Sequence, residues 1–134
     1  MPHNWNDEII QEFRANAGAV KAFAKQPILL LHTTGAKSGA ERVSPLAYLK
    51  RGDTLYVFAS FNARPINPAW YHNLKANPKV VVEVGTETFD GVATELHGAD
   101  RDDVYAEQAA FNPGFAEYEK KTTRVIPVIA LTRA

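Results

Sequence analysis

The chain has 134 residues, 46% of them apolar and 22% charged, which is the composition of one ordinary globular domain spanning residues 1–134. Its 15 Lys and Arg balance its 15 Asp and Glu, so no global field attracts nucleic acid or an anionic membrane, and any anion site must be local. The absence of cysteine excludes disulfide scaffolds, cysteine nucleophiles and thiolate metal sites.

The first 25 residues predict one amphipathic helix. Asn6 is a suitable N-cap, acidic residues follow in the first turn, and apolar residues recur at helical spacing up to Ala24. No apolar run reaches the roughly 20 residues of a membrane span, and the N-terminus lacks the basic and apolar regions of a signal peptide. We therefore expect a cytoplasmic protein with no integral membrane association, and the sequence leaves open a peripheral contact of this helix with the inner face of the membrane.

Short apolar runs separated by turn signals predict about six strands. A nearly continuous apolar run enters a glycine-rich loop after residues 26–34, and two hairpins are expected around Gly52 and Gly85, with a bulge at Gly91. A last strand is expected at residues 125–131. Because these strands connect by short turns, an α+β fold with a mainly antiparallel barrel and peripheral helices is favoured over a doubly wound sheet.

Three further helices are expected outside this barrel. Residues 67–68 supply an Asn N-cap and a first-turn proline for a helix that stops at Asn77. Asp100 is expected to cap a second helix, and the Asn-Pro pair at residues 112–113 repeats the capping device for a third.

The loop of residues 33–42 is the best local candidate for an anion site. Two glycines free its backbone to direct N–H groups at one place, and Lys37, Ser38 and Arg42 add two cations and a hydroxyl. It is not a Walker loop, since Lys37 precedes the second glycine and a strand follows. An ordinary solvated surface loop is the alternative interpretation.

Aromatic residues mark two other candidate positions. The helix start at residues 67–73 could receive the polar edge of a ligand beside Trp70, with plain capping and a core Trp70 as the alternative. Phe111, Phe115 and Tyr118 could line an apolar substrate pocket or belong to the core. The four histidines lack metal-ligand spacing, so no metal site is expected. Without an evident nucleophile, a bound cofactor is the simplest source of reactivity.

Several segments together resemble a known family. They are LLLHTTGAKSGAERVSPLAYL, the FAS ending of a strand, NPAWYHNLKANPKV and the closing RVIPVIAL. The chain resembles the deazaflavin-dependent nitroreductases, also described as quinone reductases that use reduced coenzyme F420. The resemblance implies a split β-barrel of the FMN-binding-like type and hydride transfer from reduced coenzyme F420 to a quinone or a similar nitro or enone acceptor. An FMN-dependent oxidoreductase on the same fold and a non-catalytic deazaflavin carrier are the alternatives.

The resemblance also implies where the cofactor lies. Lys37 and Arg42, with their neighbours, would hold the phosphate and the acidic tail, the next residues would continue the wall, the FAS segment would face the ring, and the helix start would close the site. The cofactor-binding residues implied in this way are Ala36, Lys37, Ser38, Arg42, Val43, Ser44, Pro45, Leu46, Ala47, Phe58, Ala59, Ser60, Phe61, Ala69, Trp70, Tyr71, His72 and Asn73.

The reactive end is assigned through the same resemblance. Ser60 and Tyr118 are the implied catalytic residues, and Phe115 and Tyr118 the implied substrate-binding residues. Family members that reduce nitroimidazole drugs carry several tyrosines over the ring, whereas this chain keeps only Tyr118 there and has Asn112 and Phe115 nearby. We therefore expect a quinone-like small-molecule acceptor rather than such drugs, in a monomer or a homodimer.

Overall fold

Six strands and four helices form the described part of the computed structural model, which covers residues 5–21, 27–60, 67–122 and 125–134 and omits the side chains of residues 5 and 6. The elements are α1 (Trp5–Ala15), β1 (Ile28–Thr34), β2 (Glu41–Arg51), β3 (Thr54–Phe58), α2 (Ala69–Ala76), β4 (Lys79–Val84), β5 (Glu87–Leu96), α3 (Gly98–Phe111), α4 (Pro113–Lys121) and β6 (Val128–Arg133).

The strands close into a barrel in the order β1-β2-β3-β6-β5-β4, and every neighbouring pair is antiparallel. Both predicted hairpins are present, each with a two-residue turn that begins at a glycine of positive φ, 58° at Gly52 and 59° at Gly85. Such a backbone is accessible to glycine without a steric penalty. The predicted antiparallel α+β barrel is confirmed.

Strand β2 divides its pairing between two neighbours. Residues 41–47 pair with β1, and residues 48–51 pair with β3. Within the described ranges, the first half of β2 therefore has a strand partner on one side only. A strand edge of this kind offers backbone N–H and C=O groups to a ligand, and it tolerates Pro45, which has no N–H to donate.

Strand β1 is buried on both faces, as its continuous apolar run indicates. Leu29 and Leu31 are fully buried in the barrel core, while Leu30 packs on the other face against Ile9 and Phe13 of α1. Burying side chains of this size stabilises the fold by about 1.5–3 kcal/mol each, so α1 is held to the barrel chiefly through this apolar contact.

Helix α1 is shorter than the helix predicted over residues 1–25. It begins at Trp5, so Asn6 lies inside it, and it ends at Ala15. Ala17 and Gly18 have φ of 54° and 96°, which ends the helical path and turns the chain back to the barrel, where Val20 is buried. Ala24, the last predicted helical residue, lies outside the described residues. The spacing of apolar residues therefore indicated burial correctly, but not a continuous helix.

The predicted bulge at Gly91 is wrong. Gly91 continues a regular register, opposite Val80 on β4 and Arg133 on β6. A Cβ atom at this position would lie 3.0 Å from the carbonyl oxygen of Thr132. A glycine is therefore needed here because β6 approaches closely, and not because the strand contains an extra residue.

Two predicted helix caps are shifted along the chain. The cap of α2 is Pro68 rather than Asn67, and the cap of α3 is His97 rather than Asp100. The cap of α4 is confirmed, because the Asn112 side chain accepts a hydrogen bond from the N–H of Gly114 at 3.1 Å. Across the described ranges, the model contains no helix with both the length and the apolar character needed to cross a membrane.

Candidate functional site

A groove of about 910 Å³ runs between α1, the loop after β1, the first half of β2 and the start of α2. It brings together ten of the residues implied as cofactor-binding, from three separate segments of the chain. The residues that line it are Asp7, Ile10, Arg14, Gly35, Ala36, Lys37, Ser38, Glu41, Arg42, Val43, Ser44, Ala69, Trp70, His72 and Asn73.

The loop after β1 is closed by its own hydrogen bonds. The N–H of Gly35 donates to the carbonyl of Ala40 at 2.7 Å, and the N–H of Gly39 donates back to Gly35 at 3.0 Å. A Cβ atom on Gly35 would lie 2.6 Å from the Ser38 hydroxyl and 3.2 Å from the carbonyl oxygen of Ala40, so a side chain there would displace that hydroxyl and crowd the turn. The loop thus has a defined shape, and its tip exposes Lys37 at the groove.

Asn73 ties this loop to α2. Its side-chain oxygen accepts from the N–H of Ala36 at 3.0 Å, and its side-chain nitrogen donates to the hydroxyl of Thr33 at 3.2 Å. Both Asn73 and Thr33 are buried. The Asn73 amide is therefore used inside the protein and positions the loop.

Two cations of the groove have no carboxylate partner. Lys37 and Arg42 are exposed and form no ion pair with any residue that the structure describes. Arg14, in contrast, is bound by Glu83 of β4 through two hydrogen bonds of 2.8 and 3.2 Å. Its guanidinium lowers the pKa of Glu83 against the opposing effect of burial. The unpaired positive charge in the groove is thus carried by Lys37 and Arg42, which suits an anionic ligand.

Tyr71 faces away from this groove toward β5. Its hydroxyl donates to Glu95 at 2.8 Å, and Lys75 donates to the same oxygen at 2.8 Å. Burial, with the Glu95 carboxylate, raises the pKa of Tyr71 to about 12. Burial opposes the charge of Glu95, but the hydrogen bonds from Lys75 and Tyr71 outweigh it and lower its pKa. Tyr71 therefore anchors α2 to the barrel.

The other implied site residues lie around two apolar clusters outside the groove. Leu46 and Ala59 pack with the barrel core, while Ala47 and Phe58 belong to a cluster beneath α3 and α4. The Phe58 ring is 5.4 Å from that of Phe115. Pro45 is likewise not among the groove residues. Phe61 lies outside the described residues.

Of the two implied catalytic residues, Tyr118 lies at the edge of this second cluster. Phe115 is buried, and its ring is 5.3 Å from that of Tyr118, which is half-buried. Ser60 is also half-buried and follows Phe58 by two residues. Phe115 is therefore part of this cluster, and its predicted role in substrate binding stays a prediction. Neither Ser60 nor Tyr118 lines the groove.

Three groove residues lie outside every segment that the sequence indicated for binding, namely Asp7, Ile10 and Arg14 of α1. Gly35 and Glu41 also line the groove; they lie in the predicted loop of residues 33–42 but were not named as binding residues. The three residues of α1 have a spacing of three and four, which places them on one face of a helix. That spacing was an available signal. Gly35 and Glu41 had a signal as well, since each is a chain neighbour of a loop residue that was named.

Comparison with known proteins identifies the family. A family described as F420H(2)-dependent quinone reductase has a model that matches residues 5–133. The chain belongs to this family. The cofactor of such reductases is coenzyme F420, and both the resemblance and the expected cofactor are confirmed at this level.

Individual relatives agree with this assignment. An F420H(2)-dependent quinone reductase of Mycobacterium tuberculosis strain H37Rv is 41% identical over 110 residues, which is 80% of this chain and 74% of that protein. A solved structure described as an F420-H2 dependent reductase is 40% identical, with a TM-score of 0.72 over 78% of this chain and 93% of that one. Another, described as a domain-swapped dimer, is 36% identical, with a TM-score of 0.74 over 91% and 93% of the two chains.

Proposed function

We propose that this reductase binds reduced coenzyme F420 in the groove and catalyses hydride transfer to a quinone-like acceptor. The observation that carries the proposal is that two cations without an ion-pair partner among the described residues, Lys37 and Arg42, line the groove at a closed glycine loop. The chain also belongs to a family of reductases that use this cofactor. When bound, the reduced deazaflavin supplies the hydride. The protein supplies position, hydrogen bonds and exclusion of water.

The groove residues suit the polar half of such a cofactor. Lys37 and Arg42 provide charge-assisted hydrogen bonds to its phosphate and acidic tail. The first half of β2, which has a strand partner on one side only within the described ranges, leaves backbone groups available to the ligand. The small side chains of Ala36 and Ala69 allow the ligand to approach the backbone closely. FMN carries fewer negative charges, so we expect it to bind more weakly than coenzyme F420 to the same cations.

Trp70 provides apolar surface at the helix start. Trp70 is only 7% exposed, since it packs in the barrel core. Its exposed part lines the groove. His72 lies at the same end of the groove. This part of the groove is suited to the flat, less polar portion of the cofactor.

Ser60 and Tyr118 are proposed to act on the acceptor. The acceptor oxygen of a quinone gains negative charge as it receives hydride, and a hydroxyl that donates a hydrogen bond stabilises this charge. The proposal is supported by the half-buried position of both hydroxyl residues and by the packing of Tyr118 against the aromatic cluster around Phe58 and Phe115. The apolar rings of that cluster favour flat acceptors, and we extend the proposed range to nitro and enone compounds.

We further propose a cytoplasmic monomer or homodimer that acts on small molecules and binds no nucleic acid. The balanced net charge supports the last point. The solved relative described as a domain-swapped dimer makes the homodimer a specific candidate, which light scattering of the purified protein would test. Peripheral contact of α1 with a membrane is tested separately by vesicle flotation, in which the protein would rise with the vesicles if it binds them.

Titration of the purified protein with coenzyme F420 and FMN tests the central proposal, followed by a screen of acceptors that begins with the quinone menadione. We expect tighter binding of coenzyme F420 and oxidation of its reduced form by quinones. Tighter binding of FMN would favour the flavin-dependent alternative. Binding of coenzyme F420 without turnover with any acceptor would instead indicate a carrier.

A further inference from the structure

Glu41 places a negative charge in a groove whose free charges are otherwise positive. It is the first residue of β2, its side chain is 67% exposed, and it lines the groove together with Lys37 and Arg42. It also lines a second cavity of about 460 Å³, which contains His32. A carboxylate here repels an anionic ligand, so it opposes the attraction that the two cations provide.

His32 of β1 lies between Glu41 and a second carboxylate. Its Nδ1 atom is 3.3 Å from Oε2 of Glu41, and its Nε2 atom is 2.5 Å from Oε2 of Glu83. The buried Nδ1 atom makes no hydrogen bond with any described residue, since the contact to Glu41 lacks hydrogen-bond geometry.

Of the two carboxylates at His32, only Glu83 is neutralised by a hydrogen-bonded cation within the part of the chain that the structure describes. Glu83 already receives two hydrogen bonds from Arg14 of α1. Lys79 and Asp90, with opposite charges, line the same second cavity as His32. Glu41, in contrast, has His32 as its ion-pair partner among the described residues.

On the basis of the proposed function, we propose that Glu41 is a specificity-determining residue that limits the affinity of the groove for polyanionic cofactor tails, and that His32, in contact with this carboxylate, is its positioning residue. Each added negative charge on the ligand increases the repulsion from Glu41. The groove therefore discriminates between cofactors by the length of their acidic tail, favouring short tails more than Lys37 and Arg42 alone would.

The test compares variants in titrations of coenzyme F420 carrying short and long glutamate tails, at low and high salt. For Glu41→Gln we expect binding about two- to fivefold tighter at low salt, as for an exposed charge pair, with a larger gain for the long tail and a smaller gain at high salt. Glu87→Gln is the matched control, because Glu87 is an exposed carboxylate paired with Arg133 and does not line the groove.

A double-mutant cycle isolates the role of His32. We expect His32→Leu to weaken binding in the wild-type background but to have no effect on binding in the Glu41→Gln background. His32→Asn, whose amide nitrogen falls near the position of Nδ1, should recover part of the loss. Thermal unfolding of each variant separates these effects from lost stability.

Several results would overturn the inference. Weaker or unchanged binding in folded Glu41→Gln would show that the carboxylate accepts a ligand hydrogen bond or has no effect. An equal loss from His32→Leu in both backgrounds would show a purely structural role for His32. In both cases wild-type protein still binds coenzyme F420, so the proposed function stands. Failure of folded wild-type protein to bind the cofactor would instead overturn the proposed function and this inference together.

Discussion

The side-chain oxygen of Asn73 and the backbone N–H of Ala36, 3.0 Å apart, join α2 to the glycine loop across the groove. The same side chain reaches Thr33 on β1. One buried amide therefore holds together the two walls that are closest to Lys37.

Asn73→Ala tests this connection. The change leaves the buried Thr33 hydroxyl and the Ala36 N–H without their partner, so we expect a loss of about 1–3 kcal/mol in the free energy of unfolding. We also expect weaker binding of coenzyme F420, since the loop loses its fixed position. Chemical denaturation and cofactor titration measure the two effects. Asn77→Ala, at the C-cap of the same helix, is the control, and equal effects of both changes would refute the special role of Asn73.

The charge of Lys37 and Arg42 is tested by replacing both with alanine. Each forms charge-assisted hydrogen bonds to the cofactor in the proposed function, so we expect the Kd of coenzyme F420 to rise by at least about tenfold and its salt dependence to weaken. Lys120→Ala with Lys121→Ala removes two charges from the end of α4 and should leave the Kd unchanged. If the folded double variant at the loop keeps wild-type affinity, the loop is an ordinary solvated one.

The proposed donors to the acceptor are tested by Ser60→Ala and Tyr118→Phe. A donor to developing charge matters more in the transition state than in the ground state, so the turnover rate should fall more than cofactor binding weakens. We expect a milder effect for Tyr118→Phe, since its ring still packs against Phe115. Stopped-flow oxidation of the enzyme-bound reduced cofactor by menadione measures the rate. Wild-type rates in Ser60→Ala would remove Ser60 from the mechanism.

The Tyr71, Glu95 and Lys75 network predicts a pH dependence of stability at both extremes. The lowered pKa of Glu95 means that its stabilising effect is present above the unfolded pKa and is lost as the pH falls through the folded value. The pKa of Tyr71, raised to about 12, means that its effect is lost as the pH rises from about 10 toward 12.

Unfolding at a series of pH values checks both directions. We expect a shallower acid-side decline in Glu95→Gln and a shallower alkaline-side decline in Tyr71→Phe than in wild-type protein. Glu107→Gln, an exposed carboxylate on α3 that pairs with Arg51, serves as the control on the acid side. Parallel curves for Glu95→Gln and wild type would show that the network contributes nothing to acid stability.

Local signals are sufficient for the parts of the fold that depend on few residues. Gly52 and Gly85 predict their hairpins because a two-residue turn needs a backbone that glycine adopts readily. The shared groove position of Lys37 and Arg42 is predictable because they lie only five residues apart, one in the loop and the other at the start of the next strand. The end of α1 was not predictable from apolar spacing, since Val20 is buried with or without a continuous helix.

The remaining site features depend on packing between distant segments. Arg14 reaches the groove because α1 packs on the outer face of β1, and neither segment alone predicts this contact. Asn73 has the sequence pattern of an ordinary helical residue, and its role follows only from the approach of the glycine loop.

The turn after α1 and the hairpin turn between β4 and β5 meet through two glycines. A Cβ atom on Gly18 would lie 2.9 Å from the Cα atom of Gly85, and both residues have positive φ. Neither glycine lines the groove, yet their contact sets how closely the end of α1 approaches the barrel. A substitution at Gly18 would therefore displace α1, which forms a wall of the groove, without touching the groove itself. In a genetic screen, Gly18 would be found as a surface position whose substitution weakens cofactor binding.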